Sequence, residues 1–103
     1  MNYTMYVDDI RNPKGEFDII VRSSEEAIEY MIRNGCPTYA SLDHDLGGDD
    51  TSIAIIKFMV EMDLDTNNEF IPYNFSYNVH SANPVGAANI EGYLDSYIRQ
   101  RDI

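Results

Sequence analysis

The chain contains two histidines, and each stands beside groups with which it could do chemistry. His44 lies inside Asp43-His44-Asp45, His80 opens His80-Ser81-Ala82-Asn83, and a third polar group, Asp8-Asp9, follows a short apolar run. Imidazole titrates near pH 6.5, so His44 and His80 can serve as general base and general acid around a phosphodiester, in either order. Carboxylates gathered in one place raise each other's pKa unless a cation neutralises them. A hard divalent ion does this through oxygen ligands and keeps waters that a phosphate can replace. Asp8, Asp9, Asp43 and Asp45 are the candidate ligands, with Mg²⁺ as the expected ion and Mn²⁺ as its alternative. Ser81, Asn83 and the free N–H groups of a helix start form an anion site. Arg11, shortly after the acid pair, either clamps a phosphate or pairs with one of the acids. Asp49 and Asp50 read as loop or helix-cap acids. Strand alternation sets one condition: if Asp43 faces a crevice, His44 does so only where the chain has already left the strand.

These residues are far apart in sequence, so the fold has to bring them together. Met5-Tyr6-Val7 is a strand cut off by Asp8-Asp9, and Arg11 to Gly15 is a turn-rich loop. Phe17 to Val21 is β-branched and apolar, a buried strand. Ser23-Ser24-Glu25-Glu26 is a capping box for a helix carrying Ala27, Ile28, Met31 and Ile32, stopped by Asn34-Gly35. Tyr39 to Leu42 is the third strand. Asp50 or Thr51 caps a helix with Ile53, Ile56, Met59 and Val60 on one face, followed by a polar connector at Leu64 to Asn68. Phe75 to Val79 is the fourth strand, and Asn83-Pro84 starts a last helix with Ile90, Tyr93, Leu94, Tyr97 and Ile98 inward. Tyr73 and Tyr77 read as core. The order β-β-α-β-α-β-α implies right-handed crossovers and a parallel four-stranded sheet in a small three-layer α/β domain. Three of the four strands then end in charged or donor residues on the edge where such sheets bind ligands.

Composition narrows the partners. The 103 residues fit a single domain, residues 1–103, able to hold a core without staples. Seven Lys+Arg against eighteen Asp+Glu give a net charge of −11, which argues against duplex DNA held by its phosphates. One cysteine, Cys36, excludes an internal disulfide framework and suits a reducing cytoplasm. With no long apolar run and no basic, apolar start, neither a membrane span nor a secretory signal is expected.

The strand-end pattern resembles the receiver domain of response regulators, whose fold is flavodoxin-like. There, paired acids bind Mg²⁺, a further acid accepts phosphate and a hydroxyl contacts the phosphoryl group. Val7-Asp8-Asp9, Leu42-Asp43 and Ser81-Ala82 match those places, but the first helix and fifth strand of a full receiver have no counterpart in the chain. A closer resemblance is to the cyclic-phosphate-processing receiver-like domain, through Val7-Asp8-Asp9-Ile10-Arg11, Ser41-Leu42-Asp43-His44-Asp45-Leu46-Gly47 and Val79-His80-Ser81-Ala82-Asn83-Pro84. That resemblance implies a metal-dependent phosphoesterase acting on a small cyclic nucleotide or on the 2′,3′-cyclic phosphate end of an RNA, in a bacterium or in the host cytoplasm of a phage. Asp43, His44 and His80 would be catalytic, Arg11, Ser81 and Asn83 would hold phosphate, and Asp8, Asp9, Asp43 and Asp45 the metal. Two other readings stay open: a shortened receiver that takes phosphate on Asp43 without turnover, and a protein that sequesters a cyclic nucleotide.

Overall fold

The computed structural model describes residues 2–101, in the order β1 (Thr4–Val7), β2 (Ile19–Val21), α1 (Ser24–Asn34), β3 (Tyr39–Leu42), α2 (Ile53–Asp65), β4 (Ser76–Val79) and α3 (Pro84–Arg101). The expected order of elements and the all-parallel sheet are both present. The strands lie side by side as β2-β1-β3-β4, with Met5 opposite Ile19 and Ala40, and Leu42 opposite Val79. β2 starts at Ile19 rather than Phe17 because the Asp18 carboxylate, not a backbone carbonyl, accepts the Thr4 N–H at 2.8 Å.

The register sorts the strand residues between two faces. Met5, Val7, Val21, Ala40 and Leu42 join Met31, Ile56, Met59, Ile90 and Leu94 in one buried core, so all three helices cover the same face. Handedness explains it: β2–α1–β3 and β3–α2–β4 step across the sheet in the same direction, and right-handed crossovers in one direction fall on one side. The β1–β2 connection steps the other way, to the opposite face, and is a loop without a helix. Three layers are expected from sequence; the three helices instead form one layer on one face of the sheet, and the other face carries only this loop. Phe17 from the loop packs on Tyr6 (centroids 5.2 Å) and stacks near Tyr39 (6.0 Å), both on the helix-free face.

Local chemistry sets the helix ends. Ser23 accepts the Glu26 N–H at 3.1 Å, while the Glu26 carboxylate reaches back to the Arg22 N–H at 2.6 Å. Asp50, expected to cap α2, instead accepts the Ser24 N–H at 2.9 Å and so ties the glycine loop to the start of α1. Ser52 occupies the α2 cap position with a helical backbone, and its buried hydroxyl donates to the Asp43 carbonyl. The last helix begins as expected: the Asn83 side chain accepts the Gly86 N–H at 3.0 Å and Pro84 follows it. Gly86 is needed there, because the His44 ring lies against it and a Cβ would come within 2.6 Å of Nδ1. Tyr73, expected in the core, is 95% exposed, with the Arg101 guanidinium 5.9 Å from its ring centre.

One buried acid fastens α3 to the rest. Asp63 of α2 has no exposed surface and accepts from the N–H groups of Phe70 (3.1 Å) and Ile71 (2.8 Å), the Tyr97 hydroxyl (2.8 Å) and Arg101 (3.2 Å). Burial pushes its pKa up, but the Ile71 N–H, Tyr97 and Arg101 outweigh that and hold it below the ordinary value.

Removing this carboxylate in Asp63→Ala leaves two N–H groups unpaired and Arg101 without its counter-charge, held by the Ile71 carbonyl alone at 2.8 Å, and urea denaturation should show a loss of about 3–5 kcal/mol. Because the folded-state pKa is depressed, the stabilisation is present above the unfolded value of about 3.9 and is lost as pH falls through the folded value. Stability of the wild type should drop below about pH 4, and Asp63→Asn should flatten that slope; equal slopes would show that Asp63 is not the group responsible. Two glycines of α3 give a paired test. Gly92→Ala, with nothing within 4 Å of the new Cβ, should stabilise by about 0.5–1 kcal/mol through helix propensity. Gly86→Ala should destabilise by about 1–3 kcal/mol by overpacking against His44; a gain at both positions would remove the His44 contact from the account of α3 docking.

Candidate functional site

The site is built around Asp8. Parallel pairing continues one residue past β1, with the Asp8 N–H on the Val21 carbonyl at 3.2 Å, and this leaves its side chain 1% exposed. A buried carboxylate needs its lone pairs occupied. Oδ1 accepts the N–H groups of Ile10 (2.9 Å) and Arg11 (2.8 Å), bending the chain sharply after the strand. Oδ2 accepts from Arg11 Nε and His80 Nε2, each at 3.1 Å. Burial raises the Asp8 pKa, but the Arg11 and Ile10 N–H groups, then His80 and the guanidinium, more than offset this and hold it below the ordinary carboxylate value.

An ionised Asp8 sets the tautomer of His80. Nε2 must carry the proton it gives to Oδ2, so in the neutral ring Nδ1 accepts the hydroxyl hydrogen of Ser41, 2.7 Å away. Ser41, His80 and Asp8 thus form one chain of hydrogen bonds through the sheet edge. The ring is further fixed by parallel stacking on Tyr6, centroids 4.6 Å apart and planes 3° apart. Neither nitrogen of His80 is free of a protein partner. Sequence reading found His80 but not Ser41 or Tyr6. Their signal was the outward phase of β1 and β3, where a hydroxyl stands in an otherwise apolar Tyr39–Leu42 run.

Asp43 follows β3 as Asp8 follows β1, its N–H on the Val7 carbonyl at 2.9 Å. Arg11 spans the two acids, with Nη2 3.6 Å from Asp43 Oδ2 while Nε holds Asp8. Of the two uses expected for Arg11, the pairing with acids is the one present, and it reaches two of them, Asp8 and Asp43. Asp8, Asp43 and His80 each bring a ligand atom within 4.8 Å of the other two. Two carboxylates and an imidazole are a chemically suitable donor set for a divalent ion, so this buried cluster could hold a metal.

Beside the cluster opens a hollow of about 550 Å³, lined by Asp8, Asp9, Ile10, Arg11, Asp43, Asp45, Gly47, Gly48, Ser81 and Ala82. The topology therefore brings all four expected metal-ligand acids, Arg11 and Ser81 to one place. It sets three expected residues apart from the hollow's lining. His80 lies behind Asp8. His44 packs on Gly86, with Nδ1 2.8 Å from Asp45 Oδ1, and this contact, with the Asn83 amide, lowers the Asp45 pKa. The Asn83 side chain is occupied, capping α3 through Oδ1 and donating to Asp45 through Nδ2 at 3.3 Å. The Ser81 hydroxyl accepts the Asn83 N–H at 3.0 Å and still faces the hollow. A larger hollow, about 770 Å³, lies between α2 and α3, but Lys57 is the one titratable group among its linings besides Tyr93 and Tyr97.

No helix of the described residues is long and apolar enough to cross a membrane. No curated protein and no solved structure matches the chain. The sequence model of one family does match it, over residues 3–96, and so takes in every strand-end residue described above. By that match the chain belongs to the cyclic-phosphate processing receiver domain family.

Proposed function

We propose that this domain is a metal-dependent phosphoesterase that opens cyclic phosphates of nucleotides or RNA ends. The observation that carries the reading is the convergence of Asp8, Asp43 and His80 ligand atoms within 4.8 Å, beside a hollow that also holds Arg11 and Ser81. Asp8, Asp43 and His80 would hold the ion, His80 through Nε2 once its proton has moved to Nδ1 and the Ser41 oxygen accepts from there, with Asp9 and Asp45 supplying further oxygens. When bound, the ion polarises a phosphoryl oxygen and offsets charge that grows in the transition state. The imidazole in the set favours Mn²⁺ over Mg²⁺, which prefers oxygen alone.

The chain's own groups supply the rest. The Arg11 guanidinium donates to one phosphoryl oxygen, and the Ser81 hydroxyl donates to the other. With both nitrogens of His80 engaged, His44 is the better acid–base candidate. Its Nδ1 is held by Asp45, which leaves Nε2 as the basic nitrogen. Hydrolysis joins a water oxygen to phosphorus as one ring P–O bond breaks. His44 takes the water proton and later returns it to solvent, and the released sugar oxygen takes its proton from a solvent water. Because His44 packs on Gly86, this role requires the ring to turn off α3. A second reading keeps Asp43 as a phosphoacceptor without turnover, favoured by the placing of Asp43 and Ser81 on one hollow.

A ³¹P-NMR screen of cyclic mono-, di- and 2′,3′-nucleotides with Mg²⁺ or Mn²⁺, and a chelator control, tests the proposal. Ring opening should need metal, and His44→Ala should lower turnover on the order of 10²–10⁴-fold with binding nearly intact. Millimolar Mn²⁺ should raise the melting temperature of the wild type and not that of Asp43→Asn. Absence of both ring opening and a metal-dependent shift sinks the phosphoesterase reading. Phosphoryl uptake on Asp43 from acetyl phosphate, with no ring opening, replaces it with the phosphoacceptor reading.

A further inference from the structure

The loop that replaces a helix between β1 and β2 leaves a second, smaller hollow on the helix-free face of the sheet. It measures about 360 Å³, and Tyr6, Pro13 and Phe17 supply much of its lining, with Asn78 on strand β4. The Tyr6 and Phe17 rings stand 5.2 Å apart at 57°, and His80 lies flat behind Tyr6. The hollow is at the small end of ligand-site volumes, with room for one ring system. Aromatic walls and a carboxamide that both donates and accepts suit a planar heteroaromatic with a hydrogen-bonding edge. Arg11 lines this hollow and the carboxylate hollow alike, so the two are separated by one side chain.

We infer that the Tyr6–Phe17 hollow is a nucleobase subsite, resting on the phosphoesterase reading for the phosphate beside it. A nucleoside cyclic phosphate would straddle Arg11, its phosphate toward Asp8 and Asp43 and its base laid in the hollow against Phe17 and Pro13, its edge toward Asn78. The substrate class is then a nucleoside phosphate, with base-free cyclic phosphates of sugars or polyols handled poorly. A net charge of −11 offers no basic track for a long strand, so the subsite reads one nucleotide, free or at a strand end.

The first test needs no turnover: NMR titration of the full chain with adenosine, guanosine, cytidine and uridine, none of which carries a phosphate. At least one should give saturable shifts at Phe17 and Asn78, weakened roughly tenfold to a hundredfold by Phe17→Ala, the range expected for loss of one stacking partner. Asn78→Ala, at an exposed edge position, should weaken binding as well and guards against misfolding of the first variant. No saturable shift with any nucleoside at millimolar concentration overturns the base subsite, whatever the hydrolysis screen shows. Nucleoside binding with no ring opening of any cyclic phosphate keeps the subsite and overturns the phosphoesterase reading instead. Where ring opening is seen, nucleoside 2′,3′-cyclic phosphates should exceed glycerol 1,2-cyclic phosphate in kcat/KM, and Phe17→Ala should erase the difference while leaving the glycerol ester's rate unchanged. Equal rates for both esters in the wild type would also overturn the subsite.

Discussion

The molecule is organised by the need to keep one carboxylate charged where water does not reach it. Asp8 is almost wholly enclosed, and an ion in that position is tolerated only when every strong acceptor direction is met by a donor. Four donors meet it, from Ile10, Arg11 and His80. Each draws in a different part of the fold. The two N–H groups turn the chain out of β1, the guanidinium brings the loop over the sheet edge, and the imidazole brings the end of β4. His80 then holds Ser41 of β3 and stacks on Tyr6 of β1. The strand ends are consequently locked together at the place where a ligand would be met.

Arg11 has two possible occupations in this arrangement, and they compete. In the chain as it stands, it is the counter-charge of Asp8 and Asp43. A divalent ion held by the same oxygens would take over that task and leave the guanidinium, which is about half exposed, available to a phosphate. An acidic chain with few cations would gain from such economy, one residue serving both the carboxylates and an anion that met them. Ion affinity at such a site would be lowered by whatever free energy the arginine pairs contribute. For a partly exposed pair that contribution is modest, whereas the bond to the buried Asp8 is stronger.

Much of this was legible in the residues, for identifiable reasons. Strand ends were marked by abrupt changes from apolar runs to acids or His80-Ser81, and parallel order followed from helices placed between strands. The acids of the hollow could be named because a parallel sheet turns sequence distance into a common edge. What stayed hidden depended on direction rather than identity. Helices on a single face follow from strand order 2-1-3-4, which hydrophobic pattern does not encode. Asp63 sits in α2 as one more acid in an acidic chain, and only packing shows it enclosed by Ile71, Tyr97 and Arg101. Asp50 had the right chemistry for a cap, but the helix it serves comes before it in sequence. Asn83 was read both as the cap of α3 and as a ligand for phosphate; its Oδ1 makes the cap, and its Nδ2 donates to Asp45, a contact that only packing reveals.

The helixless connection between β1 and β2 also bears on how the chain first finds its shape. A parallel sheet has no hairpins, so every strand pair must close a substantial loop before its hydrogen bonds return anything. Here the closures are unequal. Met5 meets Ile19, whereas Thr4 must reach Tyr39 and Tyr39 must reach Ser76, more than twice as far along the chain. Each doubling of loop length costs about 0.6 kcal/mol in closure entropy. The pairing of least entropic cost is therefore the one whose loop holds Arg11, Pro13 and Phe17, and local pairings of this kind favour fast folding. Shortening a crossover thus gives the sheet an inexpensive first contact, made by the segment that borders both hollows.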